Sequence, residues 1–147
     1  MFGEAGLVSA GVMKNPKFAI EIDPARGMVR ISMSGMFMPA DVRAFADARR
    51  EAHRALGLPK NAHLTLNDVR QMIIQPQDTV GAFYEMLADP EYRSRRLAFV
   101  SAPTLVRGQL LRALNGRDDA RCFSDMAEAE GWLLEADAGT APLRRFG

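Results

Sequence analysis

The run Leu97-Ala98-Phe99-Val100, closed at once by Ser101-Ala102-Pro103, restricts what this chain can fold into more than any other stretch. An unbroken apolar run with β-branched and aromatic members, bounded by a basic cluster and a breaker, describes a short strand buried on both faces. That is the pattern of an inner parallel strand. Pro103 suits the first turn of a helix, where its missing N–H would have had no partner. Strand and helix therefore alternate about this point, and 97–100 is expected to be the middle member of a parallel sheet.

The neighbouring segments extend the alternation. Phe18, Ile20 and Ile22 alternate with Ala19, Glu21 and Asp23, and Val29, Ile31 and Met33 alternate with Met28, Arg30, Ser32 and Ser34. Between the two runs stands Asp23-Pro24-Ala25-Arg26-Gly27, which is turn chemistry, so the pair reads as a β-hairpin. A helix is predicted from Pro39 to about Leu56, apolar along Val42, Phe45, Ala52 and Leu56, and closed by Gly57. Ala62 to Leu66 reads as a third strand ending at Asn67-Asp68, followed by an irregular stretch from Val69 to Pro76. Asp78 or Thr79 is expected to cap a second helix with Val80, Phe83, Met86 or Tyr84, and Leu87 on its face. Thr104 to Leu114 reads as a third helix, Ala120 to Phe123 as a last strand, and Ser124 or Asp125 opens a final helix that buries Met126, Ala129, Trp132 and Leu133.

The order is β-β-α-β-α-β-α-β-α, an α/β fold. Strands joined through helices run parallel with right-handed crossovers, so the hairpin leaves one antiparallel edge strand on an otherwise parallel sheet of about five. Residues 17–136 are read as one domain, with 1–16 an N-terminal extension and 137–147 a C-terminal tail. An apolar fraction of 48% with 25% charged residues over 147 positions is enough for a single real core.

Several function classes are disfavoured. A net charge of +1 does not supply the concentrated positive surface that nucleic acid requires, and Arg93, Arg95 and Arg96 stand beside Asp89 and Glu91. No run reaches the ~20 apolar residues of a membrane span. The N-terminus lacks the basic leader of a signal peptide, and a single cysteine, Cys122, permits no internal disulfide, so a cytoplasmic location is expected. His53, His63 and Cys122 show no metal-ligand spacing, and His53 reads as a surface residue in mid-helix. Neither a nucleophile elbow nor a glycine-rich phosphate loop is present. Ser101 reads as a helix cap and Cys122 as a small core residue. The chain is therefore read as non-enzymatic, with no catalytic residue, metal or cofactor.

The run His63-Leu64-Thr65-Leu66-Asn67 through Asp78-Thr79-Val80-Gly81 resembles the central segment of STAS domains, the anti-sigma-factor-antagonist fold typified by SpoIIAA. In that family the third strand ends in a polar residue, and a loop leads to an Asp-Ser-x-Gly motif whose serine is phosphorylated. Here Thr79 stands in place of that serine. Arg96 to Val100, Arg121 to Ala129 and Trp132-Leu133 are similar to the carboxyl half of the SpoIIAA-like (STAS/SEC14) branch, whose members commonly end in a "vFxdexeAxxWL" helix.

The resemblance implies a SpoIIAA-like fold and a regulatory, protein-binding role around Asn67, Asp68, Asp78, Thr79 and Gly81, with Thr79 as a phosphorylation site. Its partner would be like a regulatory kinase or a sigma-factor regulator. A hydroxyl in the first turn of a helix faces unpaired N–H groups, and a phosphate there would add roughly −1.5 to −2 charges. The alternative is a small lipophilic-ligand binder, implied by the SEC14 association and by the apolar stretch Met33, Met36, Phe37 and Met38 with Met72. Thioether side chains repack easily around a ligand.

Overall fold

The computed structural model describes residues 12–14, 16–59, 61–90 and 93–135. Strands β1 (Val12–Lys14), β2 (Phe18–Asp23), β3 (Met28–Gly35), β4 (Leu64–Met72), β5 (Arg96–Val100) and β6 (Ala120–Phe123) form one sheet in sequential order. β1 and β2, and β2 and β3, pair antiparallel, while β3 to β6 are parallel. Helix α1 (Pro39–Leu56) joins β3 to β4, α2 (Gln77–Ala88) joins β4 to β5, and α3 (Leu105–Ala113) joins β5 to β6. The described chain ends in α4, helical over 126–135.

The architecture is the α/β order expected from the pattern, and the differences are local. β2 is the antiparallel strand that the hairpin requires, and β1 continues that side as a sixth strand. β5 is an inner strand between β4 and β6, but the middle of the sheet belongs to β3 and β4. β4 does not stop at Leu66. It continues to Met72, pairing Ser34 with Gln71 and Gly35 with Met72 after a register shift that adds one residue to β4. The polar residues Arg70 and Gln71, which make this stretch look irregular in sequence, are its exposed positions.

Period-two alternation divides the core between the two faces of the sheet. One face buries Phe18, Ile20, Val29, Ile31, Met33, Val69, Leu97 and Phe99 against α1, α2 and α3. Phe45 of α1 meets Phe18 edge-on at 5.3 Å between ring centres. The other face packs Met28, Leu64, Leu66, Ala98 and Val100 against Ala129, Trp132 and Leu133 of α4. There the Arg96 and Arg121 guanidinium carbons lie 4.5 and 5.0 Å from the Trp132 ring centre, a cation–π arrangement. Gly57 closes α1 in the left-handed region at φ 75°, as its position past the last apolar residue predicts. Asp125 caps α4 by accepting from Glu128 N at 2.9 Å.

Candidate functional site

β3 and β4 end side by side, with Gly35 opposite Met72, so the loops that follow them are neighbours at the carboxyl end of the parallel sheet. In the first loop the chain is extended and alternates. Phe37 turns fully inward against Phe83, at 5.5 Å, while Met36 and Met38 turn outward at 43% and 50% exposure. In the second loop Ile73 and Ile74 are each 49% exposed. Gln75 fastens the two loops together. Its Oε1 accepts from Phe37 N at 2.8 Å, and its Nε2 donates to the Gly35 carbonyl at 3.0 Å and to that of Ile73. Asp41, in the first turn of α1, steadies the same corner by accepting from Met38 N and from Lys17, and these bonds hold its carboxyl below the usual range. An apolar rim of four side chains thus stands on a corner held by the Gln75 and Asp41 side chains.

The residues implied by the family resemblance do not converge. Thr79 is not a cap but the third residue of α2, whose N-cap is Pro76. It is 0% exposed, and its hydroxyl donates to the Phe37 carbonyl at 2.6 Å, tying the helix to the first loop. A hydroxyl so placed is engaged within the fold rather than presented at the surface. Asp78 and Gly81 are exposed, and a Cβ at Gly81 would meet open space. Asn67 is buried on the face shared with α2 and α3, whereas Asp68, its neighbour on a strand, points to the opposite face. There Asp68 accepts from Arg70 at 2.9 and 2.7 Å, and the guanidinium depresses its pKa. The methionine set divides too: Met33 and Met72 face a cavity under the helices, and Met36 and Met38 face outward.

That cavity, of about 90 Å³, lies between the sheet and helices α1, α2 and α3. Its floor is Met33, Val69, Leu97 and Phe99, with Phe83 and Leu110 among the helical residues above. The polar side chains in its wall are Arg49, Asn67, Gln75 and Gln109. Gln75 N donates to Gln109 Oε1 at 3.0 Å, and Gln109 Nε2 donates to the Gln75 carbonyl at 3.2 Å, joining α3 to the β4–α2 loop.

A second feature escapes a linear reading. His53 and His63 meet with ring centres 4.0 Å apart. His63 Nε2 lies 3.2 Å from Ser94 Oγ, which lies 2.5 Å from Thr65 Oγ1. Burial, then His63, then Arg49 bring the His53 pKa down to about 3, while burial, Arg49 and Arg95 bring that of His63 to about 4. His53 is half-buried against His63 rather than exposed. No group of three His, Cys, Asp or Glu residues that could hold a metal occurs among the described residues. Ser101 caps nothing: its buried Oγ has no hydrogen-bond partner among the described residues, and Thr104 caps α3 instead, accepting from Val106 N. Cys122 is half-buried, and burial raises its pKa, away from the reactive thiolate. No helix among the described residues is long and apolar enough to cross a membrane.

No protein-family model and no curated protein matches the chain. Solved structures do. An uncharacterised protein of the DUF3478 family with a SpoIIAA-like fold, from Shewanella loihica PV-4, superposes with a TM-score of 0.62 at 16% identity, over 84% of this chain and 99% of that one. An anti-sigma factor antagonist from Mycobacterium paratuberculosis superposes with a TM-score of 0.53 at 13% identity, over 82% of this chain and 98% of that one. Both likenesses lie in the path of the backbone.

Proposed function

We propose that this SpoIIAA-like, STAS-type domain is a non-enzymatic regulatory module that docks a protein partner on the rim at the carboxyl ends of β3 and β4. The observation that carries this reading is the exposure of Met36, Met38, Ile73 and Ile74 on two loops fixed by Gln75. Single exposed apolar residues are ordinary, but a cluster on a preorganised corner marks an interaction surface. The methionines let the surface adapt to its partner at low cost. The likeness to an anti-sigma factor antagonist supports a protein, rather than a substrate, as the occupant.

Isolation of the tagged chain from its own cells after cross-linking tests the proposal. A protein recovered with the native chain is expected to fall more than tenfold with Ile73→Glu/Ile74→Glu, as when apolar anchors of an interface become charged. The circular dichroism spectrum is expected to stay unchanged, since both side chains face solvent. Equal recovery by both chains would overturn the docking assignment.

The cavity beneath α2 and α3 favours a second reading, a small lipophilic-ligand binder. The two are compatible in one molecule, because Gln75 belongs both to the rim and to the cavity wall.

A further inference from the structure

We propose that Asn115 is a site of spontaneous backbone modification: the main-chain nitrogen of Gly116 attacks its side-chain amide, and the link between α3 and β6 comes to carry aspartate and isoaspartate.

The turn supplies the geometry. After α3 the chain reverses over Leu114-Asn115-Gly116-Arg117, closed by Arg117 N donating to the Leu114 carbonyl at 3.0 Å. Gly116, third of the four, has φ 84°, while Asn115 has no positive φ. That is the pattern of a type II turn, whose third place favours glycine. The peptide between the two central residues takes no part in the closing bond, and Gly116 N–H has no hydrogen-bond partner among the described residues. The Asn115 amide has none either, and both residues are exposed. A Cβ at Gly116 would meet nothing within 4 Å, so the nitrogen is reached from open solvent.

The chemistry needs only water and hydroxide. Hydroxide removes the Gly116 N–H proton, and the nitrogen forms a bond to Asn115 Cγ. The bond from Cγ to the amide nitrogen breaks, and ammonia leaves with a proton taken from water. Water then opens the resulting succinimide. Cleavage between the nitrogen and Cγ gives aspartate on an unaltered backbone. Cleavage between the nitrogen and the main-chain carbonyl gives isoaspartate, with the chain now running through the former side chain. Nucleophile and electrophile belong to adjacent residues, which makes ring closure unimolecular. Glycine leaves the attacking nitrogen unshielded because it has no Cβ.

The other three asparagines are protected, each differently. Asn15 precedes Pro16, whose nitrogen carries no hydrogen. Ala62 N, which follows Asn61, donates to the Pro59 carbonyl at 3.1 Å. Asn67 is 5% exposed within β4.

The product acts on the fold because the turn is anchored on both sides. Leu114 is buried, and Arg117 donates to the Leu87 carbonyl at 2.9 Å and pairs with Asp119. Isoaspartate lengthens the main chain between those anchors by one carbon, so the closing bond from Arg117 N to Leu114 is lost. Aspartate leaves the path of the chain unchanged.

Incubation of the native chain in mildly alkaline buffer, followed by tryptic digestion and mass spectrometry, tests the site. The peptide 113–117 is expected to gain the mass of an amide exchanged for a carboxylate, in two chromatographically distinct forms. The isoaspartyl form is identified by its methylation from S-adenosylmethionine with an added isoaspartyl methyltransferase. Conversion at Asn61 is expected to be about tenfold slower, the factor implied by breaking the hydrogen bond on Ala62 N, and conversion at Asn67 to be slower still. Asn115→Gln, which would have to close a larger ring, is expected to keep the native circular dichroism spectrum and leave position 115 unconverted. Amide hydrogen exchange at Arg117 is expected to speed up in the isoaspartyl chain and not in the aspartyl one. Conversion of 113–117 in the urea-unfolded chain but not in the folded one would show that the fold shields Asn115, and would overturn the proposal. Equal conversion at Asn115, Asn61 and Asn67 would overturn the assignment to this turn. Native exchange at Arg117 in the isoaspartyl chain would overturn the disruption of the turn.

Discussion

Acidification from pH 6.5 to 4 is expected to remove roughly 3 kcal/mol of folding stability, most of it above the pH range in which the carboxylates titrate. The cause is the His53–His63 pair, whose tilted rings meet at 4.0 Å between α1 and the start of β4. Burial, their mutual repulsion when charged and the nearby Arg49 and Arg95 guanidinium groups all oppose protonation in the folded state, holding the two at about 3 and about 4. In the unfolded chain both take up protons near pH 6.5. Between those values the unfolded state binds more protons, so stability falls as pH falls. It is fully present above 6.5 and levels off only below the folded values. The magnitude is set at about half the full linkage value because the pair is not wholly shielded from solvent.

Asp41, Asp68 and Asp119 are held below the usual carboxylate range by basic partners, Lys17, Arg70 and Arg117 in turn. Their contribution is fully present above about pH 5 and is lost as pH falls further, so the slope between pH 6.5 and 5 reports the histidines. Urea unfolding at pH 7, 6, 5 and 4 measures the slope. His53→Phe, which keeps a ring against His63 and removes one titrating group, is expected to lose about half of it. An unchanged slope would mean that the histidines are protonated in the folded state.

The histidine pair also shows where a linear reading stops. The hairpin turn, the ends of α1 and the residues of β6 follow from alternation, helical spacing and turn chemistry, all of which act within a few positions. The run 97–100 is legible as an inner strand because both of its faces are apolar. Its place beside β6 rather than at the centre follows from the sequential strand order, which puts four strands on its other side, and β4 conceals its length behind the exposed Arg70 and Gln71. Bringing His53 against His63, or Gln75 to Gln109, requires the crossover helices to be laid on the sheet first. No spacing rule spans such pairs.

For the methionines, sequence supplies the composition of an adaptable surface but not its direction. Phe37 turning inward sends Met36 and Met38 to solvent, while strand alternation sends Met33 into the cavity. Thr79 is the sharpest case. An Asp-Thr-x-Gly string at a helix start suggests an exposed cap, yet α2 begins two residues earlier, at Gln77, and carries the threonine under the first loop.

That placement gives the largest expected effect of a single substitution. Thr79→Glu, the usual imitation of a phosphorylated residue, is expected to destabilise the fold by about 4 kcal/mol or more. The carboxylate would enter a site with no exposure and face the Phe37 carbonyl, an acceptor meeting an acceptor. Relief would require the amino end of α2 to lift from the loop that carries Phe37, exposing a fully buried ring and opening the cavity wall at Phe83. Thr79→Val retains the shape and loses the donor, leaving the carbonyl unsatisfied at a cost of about 1–3 kcal/mol. Thr79→Ser retains the donor and is expected to fall nearer the native chain than either. Denaturant unfolding of the three variants gives the order Ser, Val, Glu in increasing loss. A Thr79→Glu chain as stable as the native one would place the side chain in solvent and return this position to the exposed cap that its motif suggests. With the expected order, a phosphate on Thr79 would act by unfolding the corner, and the surface available for regulated contact is the rim of Met36, Met38, Ile73 and Ile74.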